Sequence, residues 1–193
     1  MSTTTTMSEA RAEYYKVNGF GDDGGDSLDW VPLQIWRFTI KIPNSNARRK
    51  ALKIHDLHHV VTGYATNLRG ESEIAAWELA SGCRRMPAAF VLNLFALAIG
   101  AIIAPRLVLR AWARGRATKN LYPHDTVDAL LPQPVATVRE SLGLDAPAPA
   151  PRFADLVTFA PTALLGAILL VAIVVGPLVG LFVGISATAN ALA

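Results

Sequence analysis

The feature that most constrains this fold is an uncharged C-terminal run. After Asp155 the chain carries no Asp, Glu, Lys or Arg, and this run of 38 residues is rich in Leu, Ile, Val and Ala. About 20 apolar residues suffice for a helix to cross a bilayer. Residues 155–193 are therefore predicted to form a transmembrane segment, either one tilted helix or a hairpin of two short helices hinged at Gly176-Pro177.

A second apolar segment, residues 88–104, lies in the middle of the chain. Its 17 uncharged residues are slightly fewer than a bilayer crossing needs, and basic residues flank both ends. A crossing, a re-entrant helix, an interfacial helix and a core helix all fit this pattern. Beyond it, Arg106, Arg110 and Arg114 recur every four residues, which places them on one helix face. We predict that they bind lipid headgroups, and a solvated basic helix is the alternative.

Charge is distributed unevenly along the chain. Residues 1–30 carry six acids and two bases, so the remainder, with nine acids and sixteen bases, has a net charge of +7. A basic body beside apolar segments favours anionic lipid headgroups. No nucleic-acid partner is expected, because the basic residues border apolar segments without an interleaved aromatic pattern. Residues 1–29, which are acidic and rich in Gly and Asp towards their end, are predicted to be a disordered tail.

A short motif carries the candidate chemistry. Residues 55–71 read HDLHHVVTGYATNLRGE, in which His55, Asp56 and His59 are followed by eleven residues and then Glu71. Each helical residue turns the chain by about 100°, so the first three side chains can converge on one point. We predict these four residues as metal ligands. The donor set suits Zn²⁺, with Fe²⁺ or Mn²⁺ as alternatives.

The motif spans two predicted helices. Residues 47–62 contain neither Gly nor Pro and end at Gly63, which predicts the first helix, and residues 71–81 begin with acids, which predicts the second. Folding the second helix back on the first would bring Glu71 to the histidines. Glu78 lies seven residues later on nearly the same face and is the candidate catalytic residue.

Spacing alone leaves other interpretations open. Histidines four residues apart with a distant acid occur by chance, and a buried histidine often only hydrogen-bonds to a carboxylate. His58 points to the other flank and is assigned to the outer shell or to solvent.

The same segment resembles the signature of the ubiquinone (coenzyme Q) biosynthesis proteins of the Coq-four type. That family carries H-D-x-x-H-x(11)-E, a glycine four residues after the second His, a Gly-Glu pair, and a Trp with an acid closing the second helix. The matching residues are His55, Asp56, His59, Gly63, Gly70, Glu71, Trp77 and Glu78. A weaker similarity is LLPQPVATVRESLGL at residues 130–144, and the stretch from the start of the first match to the end of the second is about half of the chain.

The resemblance implies an all-helical protein that binds zinc or another divalent ion and takes part in making a prenylated quinone. The implied roles range from removing the ring carboxyl group of a prenylated benzoate to organising the biosynthetic enzymes. Expected partners are a prenylated quinone precursor or another lipid, the membrane, other quinone-biosynthesis proteins and a second copy of the chain. The apolar segment 88–104 and the tail after Asp155 depart from the family pattern, which indicates a divergent, membrane-anchored member.

These features combine into one expected architecture. The fold class is all-α, with residues 30–145 as a helical metal-binding domain whose apolar segment faces a membrane. Residues 146–154 form a Pro-rich linker to the transmembrane helix or hairpin. Within the domain, residues 30–42 fit either a short strand or an extended arm. The metal domain is expected on the cytoplasmic, or equivalent inner, face.

Two rival functions remain at this point. Adjacent His-Asp is also the core of the metal-dependent HD phosphohydrolases, but those enzymes need a further upstream His and none precedes His55. The other such pair, His124-Asp125, lies in a predicted loop. The second rival is a non-catalytic scaffold in which the ion only joins two helices.

Overall fold

Helices and one β-hairpin make up most of the chain. The computed structural model describes residues 4–35, 38–123 and 127–191. The elements in chain order are α1 Met7–Asn18, β1 Trp30–Ile35, β2 Phe38–Pro43, α2 Asn46–Thr62, α3 Leu68–Ser81, α4 Pro87–Ile103, α5 Pro105–Ala117, α6 Val135–Leu142 and α7 Phe153–Ala191.

The helix-loop-helix unit around the motif is confirmed. The Ser45 hydroxyl accepts a backbone N–H from the first turn of α2, and Gly63 ends that helix with a left-handed φ of 76°. The Asn67 side chain caps α3 by accepting the backbone N–H of Gly70 at 3.0 Å. The loop is so tight that a Cβ on Gly70 would lie 2.1 Å from the carbonyl oxygen of Ala65. This turn brings the start of α3 back against the end of α2.

Helix α3 lies between α4 and α5. Trp77 is fully buried, and its indole N–H donates to the Thr118 hydroxyl at 2.9 Å. Glycines let the neighbouring helices approach closely. A Cβ on Gly100 of α4 would lie 2.4 Å from the Cβ of Ser72, and one on Gly115 of α5 would lie 2.5 Å from the Trp77 carbonyl oxygen. The position of α3, and with it that of Glu71, is therefore set from two sides.

The N-terminal segment differs from the sequence prediction. Disorder was expected over residues 1–29, but Met7–Asn18 form helix α1. Thr6 and Glu9 form a capping box, in which each side chain accepts the other residue's backbone N–H. Met7 is fully buried. The acidic composition suggested a solvated tail, but the helix has an apolar face that packs on α2.

A two-stranded hairpin precedes α2. Strands β1 and β2 pair antiparallel, from Trp30 opposite Pro43 to Ile35 opposite Phe38. Of the two forms left open for this region, the strand is therefore the observed one, and it belongs to a short hairpin in a chain that is otherwise mostly helical, as predicted. The Asn44 amide donates to the Leu28 carbonyl oxygen at 2.8 Å, which ties the base of the hairpin to the start of α2.

The apolar segment 88–104 forms α4, which is part of the bundle. It contacts α2, α3, α5 and α7. Leu94 and Leu97 are fully buried, whereas Leu92 and Ile102 are 48% and 81% exposed. Of the four forms that fit this segment, a helix with one face in the core and one apolar face outward matches a core or interfacial helix best.

A short helix and an extended segment lie between α5 and α7. Helix α6 ends at Gly143, which has a left-handed φ of 76°. The Arg139 guanidinium donates to the Val61 carbonyl oxygen and so joins α6 to the C-terminal end of α2. The described residues 147–152 then run without helix or strand until α7 begins at Phe153.

Helix α7 is continuous for 39 residues and passes through Gly176-Pro177. One helix, rather than a hinged hairpin, is therefore observed. In the described part of the chain it is the one helix that is long and apolar enough to cross a membrane, over Phe153–Ile173 with a mean hydropathy of 2.4. It packs on α4 and α5, and the rings of Trp112 and Phe159 meet edge to face at 5.7 Å.

The closest contact between α4 and α7 gives a test of this packing. A Cβ on Gly166 would lie 2.1 Å from the Leu94 carbonyl oxygen, whereas one on Gly176 would meet nothing within 4 Å. We expect Gly166→Ala to destabilise the detergent-solubilised protein by about 1–3 kcal/mol, because a backbone must shift. The matched control Gly176→Ala should leave the melting temperature equal or slightly higher. Equal melting temperatures for Gly166→Ala and the wild type would contradict the observed α4–α7 packing.

Candidate metal centre

Two histidines of α2 and one glutamate of α3 form the centre. His55 and His59 lie one helical turn apart, and Glu71 lies in the first turn of α3. The Nε2 atoms of the two histidines are 3.2 Å apart. That of His55 is 3.4 Å from one oxygen of Glu71, and that of His59 is 3.4 Å from the other. Among the described residues these three side chains form the group whose donor atoms could hold one metal ion.

The other nitrogen of each imidazole determines which tautomer is present. His59 Nδ1 lies 2.9 Å from the Tyr64 carbonyl oxygen. Since a carbonyl oxygen can only accept, Nδ1 carries the hydrogen. His55 Nδ1 lies 2.9 Å from the Glu78 carboxylate and donates to it for the same reason. When the two rings are neutral, both Nε2 lone pairs therefore face each other and Glu71.

This arrangement needs a positive charge between the three side chains. Two nitrogen lone pairs and a carboxylate repel one another unless a proton or a metal ion lies between them. Burial alone would lower the pKa of His55, but Glu78 and Glu71 outweigh it and raise that pKa well above its usual value. Burial likewise opposes ionisation of Glu71, yet the two histidines that face it lower its pKa to about 2.

The spacing of the three donors fits a divalent metal ion. Zinc binds imidazole nitrogen and carboxylate oxygen at about 2.0–2.2 Å with tetrahedral angles, which separates neighbouring donor atoms by about 3.3–3.5 Å. The two nitrogens are 3.2 Å apart, and each is 3.4 Å from a different oxygen of the Glu71 carboxylate. Ordinary N–H···O hydrogen bonds are shorter, about 2.7–3.2 Å. The residues present therefore fit the ion that the motif implies.

Behind the histidines lies Glu78, a fully buried carboxylate. One oxygen accepts from Nδ1 of His55 at 2.9 Å and from Nδ1 of His58 at 2.6 Å. The other accepts from the Asn93 amide at 2.5 Å and from the Tyr122 hydroxyl at 2.6 Å. Burial would raise the pKa of Glu78, but the two histidines hold it well below its usual value. Glu78 was predicted as a catalytic residue, and its geometry is that of a group that orients His55.

His58 contacts Glu78 and is not one of the candidate metal ligands. Its Nε2 accepts the backbone N–H of Leu121 at 2.9 Å, so its Nδ1 hydrogen points to Glu78. Burial lowers the pKa of His58, which keeps the ring neutral in this role.

Asp56 does not join the three donors. Its carboxylate accepts the Tyr15 hydroxyl of α1 at 3.0 Å, because a helix residue next to His55 points about 100° away from it. Asp56 is buried beside the centre, and burial raises its pKa. The Tyr14 ring stacks on His59 with centroids 5.4 Å apart. Helix α1 therefore covers one side of the group formed by His55, His59 and Glu71, which we call the metal group.

A cavity of about 170 Å³ opens beside His55 and Glu71. It lies between α2 and α4, and its lining residues are Arg48, Ala51, Leu52, His55, Glu71, Leu92, Asn93 and Ala96. Most of this wall is apolar, and its polar groups are His55, Glu71, Asn93 and Arg48.

The three predicted headgroup ligands separate into two kinds. Arg106 and Arg110 are exposed on α5. Arg114 is half-buried, donates to the Thr62 carbonyl oxygen at 3.2 Å and lies over the Tyr64 ring. It therefore caps the C-terminal end of α2, and two of the three arginines remain free to meet a lipid surface.

Several residues of the site carry no signal in the motif. Asn93 and Tyr122 reach Glu78 from α4 and from the loop after α5, far away in sequence. Tyr14 and Tyr15 arrive on a helix that was not expected. The T-x-x-E pattern at Thr6–Glu9 was the available signal for that helix. The His124-Asp125 pair of the rival hydrolase interpretation lies outside the described residues.

Comparisons with known proteins add no relative. No family model, no curated protein and no solved structure matches the chain.

The buried acceptor Glu78 can be tested directly. Glu78→Ala leaves four donors without a partner and opens a cavity, so we expect a loss of at least about 3 kcal/mol in the free energy of unfolding. Glu73→Ala on the same helix is the matched control and should change stability by less than about 0.5 kcal/mol. Denaturant unfolding followed by circular dichroism measures both. A Glu78→Ala midpoint like that of the wild type would refute the four-donor network.

Proposed function

We propose that this protein is a membrane-associated metal protein that binds a divalent ion, Zn²⁺ first, through His55, His59 and Glu71. The observation that carries the proposal is the convergence of two imidazole nitrogens and the Glu71 carboxylate at separations close to those between neighbouring donors of a metal ion, with both Nδ1 atoms already used as hydrogen-bond donors. Fe²⁺ and Mn²⁺ accept the same ligand types.

The proposed function is a step in the biosynthesis of a prenylated quinone. The protein acts on, or presents, a prenylated benzoate precursor, and the reaction includes removal of the ring carboxyl group. The resemblance of residues 47–82 to the Coq-four type supports this substrate, and so does the cavity that leads from the exposed apolar side of α4 to His55 and Glu71.

Three protein donors favour catalysis over a purely structural ion. Structural zinc sites commonly use four protein ligands, whereas catalytic sites use three and leave a position open. Here Asp56, the fourth predicted ligand, is engaged by Tyr15. When bound, the ion supplies Lewis acidity at the head of the cavity. The scaffold role is the second candidate, because Glu78, the nearest acid behind the ligands, is saturated with hydrogen bonds.

Metal analysis tests the ligand set. Purified wild-type protein should contain a nearly stoichiometric divalent metal, while His59→Ala and Glu71→Gln should lose most of it. Glu73→Gln changes a neighbouring carboxylate of α3 outside the group and should keep the metal. Retention of metal by both ligand variants would refute the proposed site.

The same variants separate an enzyme from a scaffold. The metal-loaded wild type should convert a prenylated hydroxybenzoate, detected by mass spectrometry, and chelated protein should not. Quinone levels should fall in cells in which His59→Ala replaces the wild type. Normal quinone levels with metal-free His59→Ala would instead favour the non-catalytic scaffold.

The membrane proposal rests on α7 and on the exposed arginines of α5. We place the helical body on the cytoplasmic or equivalent inner face, because the chain beyond residue 30 is basic. In a variant that lacks Cys83, a cysteine at the exposed position Glu140 should react with an impermeant reagent only from that side of sealed vesicles. Reaction from the opposite side only would overturn the orientation.

A further inference from the structure

Arg48 differs from its neighbouring arginine in lacking a carboxylate partner. Its guanidinium donates to the neutral Asn44 side chain at 2.8 Å, and its buried Nε has no hydrogen-bond partner. Arg49 also has a buried, unpartnered Nε, but its guanidinium forms an ion pair with Asp29. Within the described chain, therefore, Arg48 is a half-buried cation whose hydrogen-bonding capacity is incompletely used.

Arg48 lies on the side of α2 that borders the cavity. Arg48 and His55 are seven residues apart on α2, which places them two turns apart on the same helix face. Both line the cavity between α2 and α4. A ligand in this cavity would therefore have the metal group at one end and the guanidinium at another part of the wall.

The size and lining of the cavity limit what it can hold. Its volume is about 170 Å³, comparable to a cavity of about 150 Å³ that accommodates benzene. Ala51, Leu52 and Ala96 supply apolar wall. Leu92 lines the cavity and is also 48% exposed on α4, so an apolar chain attached to a bound ring can leave along the outer face of that helix.

Partial burial makes the unpaired cation costly. Burial lowers the pKa of Arg48, against a weaker opposite effect of Asp56. A carboxylate is the ligand that best repays this cost, because it accepts two parallel hydrogen bonds from a guanidinium.

We propose that Arg48 and the cavity it lines form a subsite for the carboxylate of an aromatic acid that carries an apolar tail. The subsite selects acids over their neutral esters. This inference rests on the proposed function, since it assigns the acid group of the proposed precursor to a residue outside the metal motif.

Binding to an acid and to its neutral ester tests the subsite. Metal-loaded protein in nanodiscs of zwitterionic lipid is titrated with geranylated 4-hydroxybenzoate and with its methyl ester by calorimetry. We expect the wild type to bind the acid on the order of tenfold more tightly than the ester. Arg48→Gln should bind the two about equally, and Arg48→Lys should retain part of the preference because it keeps the charge.

Controls separate a local effect from a change in fold. Arg49→Gln removes the adjacent arginine and should keep the acid preference of the wild type. Metal content and melting temperature should be unchanged in Arg48→Gln, because the Arg48 guanidinium hydrogen-bonds to Asn44 and not to a metal ligand. An unchanged acid preference in Arg48→Gln, or none in the wild type, would overturn the subsite.

Further ligands distinguish this inference from the proposed function. The wild type could bind neither benzoate compound and yet bind oleate or lysophosphatidate, with Arg48→Gln abolishing that binding. In that case the proposed benzoate precursor is refuted, and Arg48 still forms an anion subsite, for a fatty acid or a phospholipid. If the acid binds and is converted equally well by Arg48→Gln, the proposed function remains and the subsite is wrong. Binding of none of these compounds overturns both.

Discussion

The buried carboxylate of Glu78 is the interaction on which the rest of the structure depends. Through its four hydrogen bonds it joins α2, α3, α4 and the loop after α5 at one point. A charge in the interior is tolerated only when its hydrogen bonds are satisfied, and here each oxygen has two donors. The same bonds orient the histidines, because Glu78 fixes Nδ1 of His55 and of His58 as donors. The same hydrogen bonds therefore stabilise the packing of these segments and orient the histidines of the site.

Because of the orientation of the two imidazoles, a positive charge is needed between them and Glu71. His55 and His59 are each held through Nδ1, one by a carboxylate and one by a main-chain carbonyl. Their Nε2 atoms are thereby directed at each other and at Glu71. A proton can relieve the repulsion, and so can a metal ion. The separations of 3.4 Å, one to each oxygen of Glu71, are longer than good hydrogen bonds and are close to the distances between neighbouring donors of a metal ion.

Local signals in the sequence predicted the helices better than the contacts between them. Glycine and charged residues placed α2 and α3 closely, because these residues act within a few positions of a helix end. Asn93 and Tyr122 could not be assigned to Glu78, since that contact depends on how distant segments pack. Asp56 was predicted as a ligand from its spacing, but its position on α2 turns it away from His55, and it accepts a hydrogen bond from Tyr15 on α1 instead. Helix α1 was not predicted, because the acidic, Gly-rich composition of residues 1–29 favours a disordered tail, whereas the signal for the helix is the short T-x-x-E pattern at its start.

Helix α4 connects the polar interior to the apolar exterior of the protein. Asn93 donates to the buried carboxylate, while its chain neighbour Leu92 is exposed and lines the cavity. On the next position, the Leu94 carbonyl oxygen lies against Gly166 of α7. Consecutive helix residues point about 100° apart, so three neighbours reach three different surroundings. The exposed apolar side of α4 therefore lies next to the cavity beside His55 and Glu71, separate from the hydrogen bonds around Glu78.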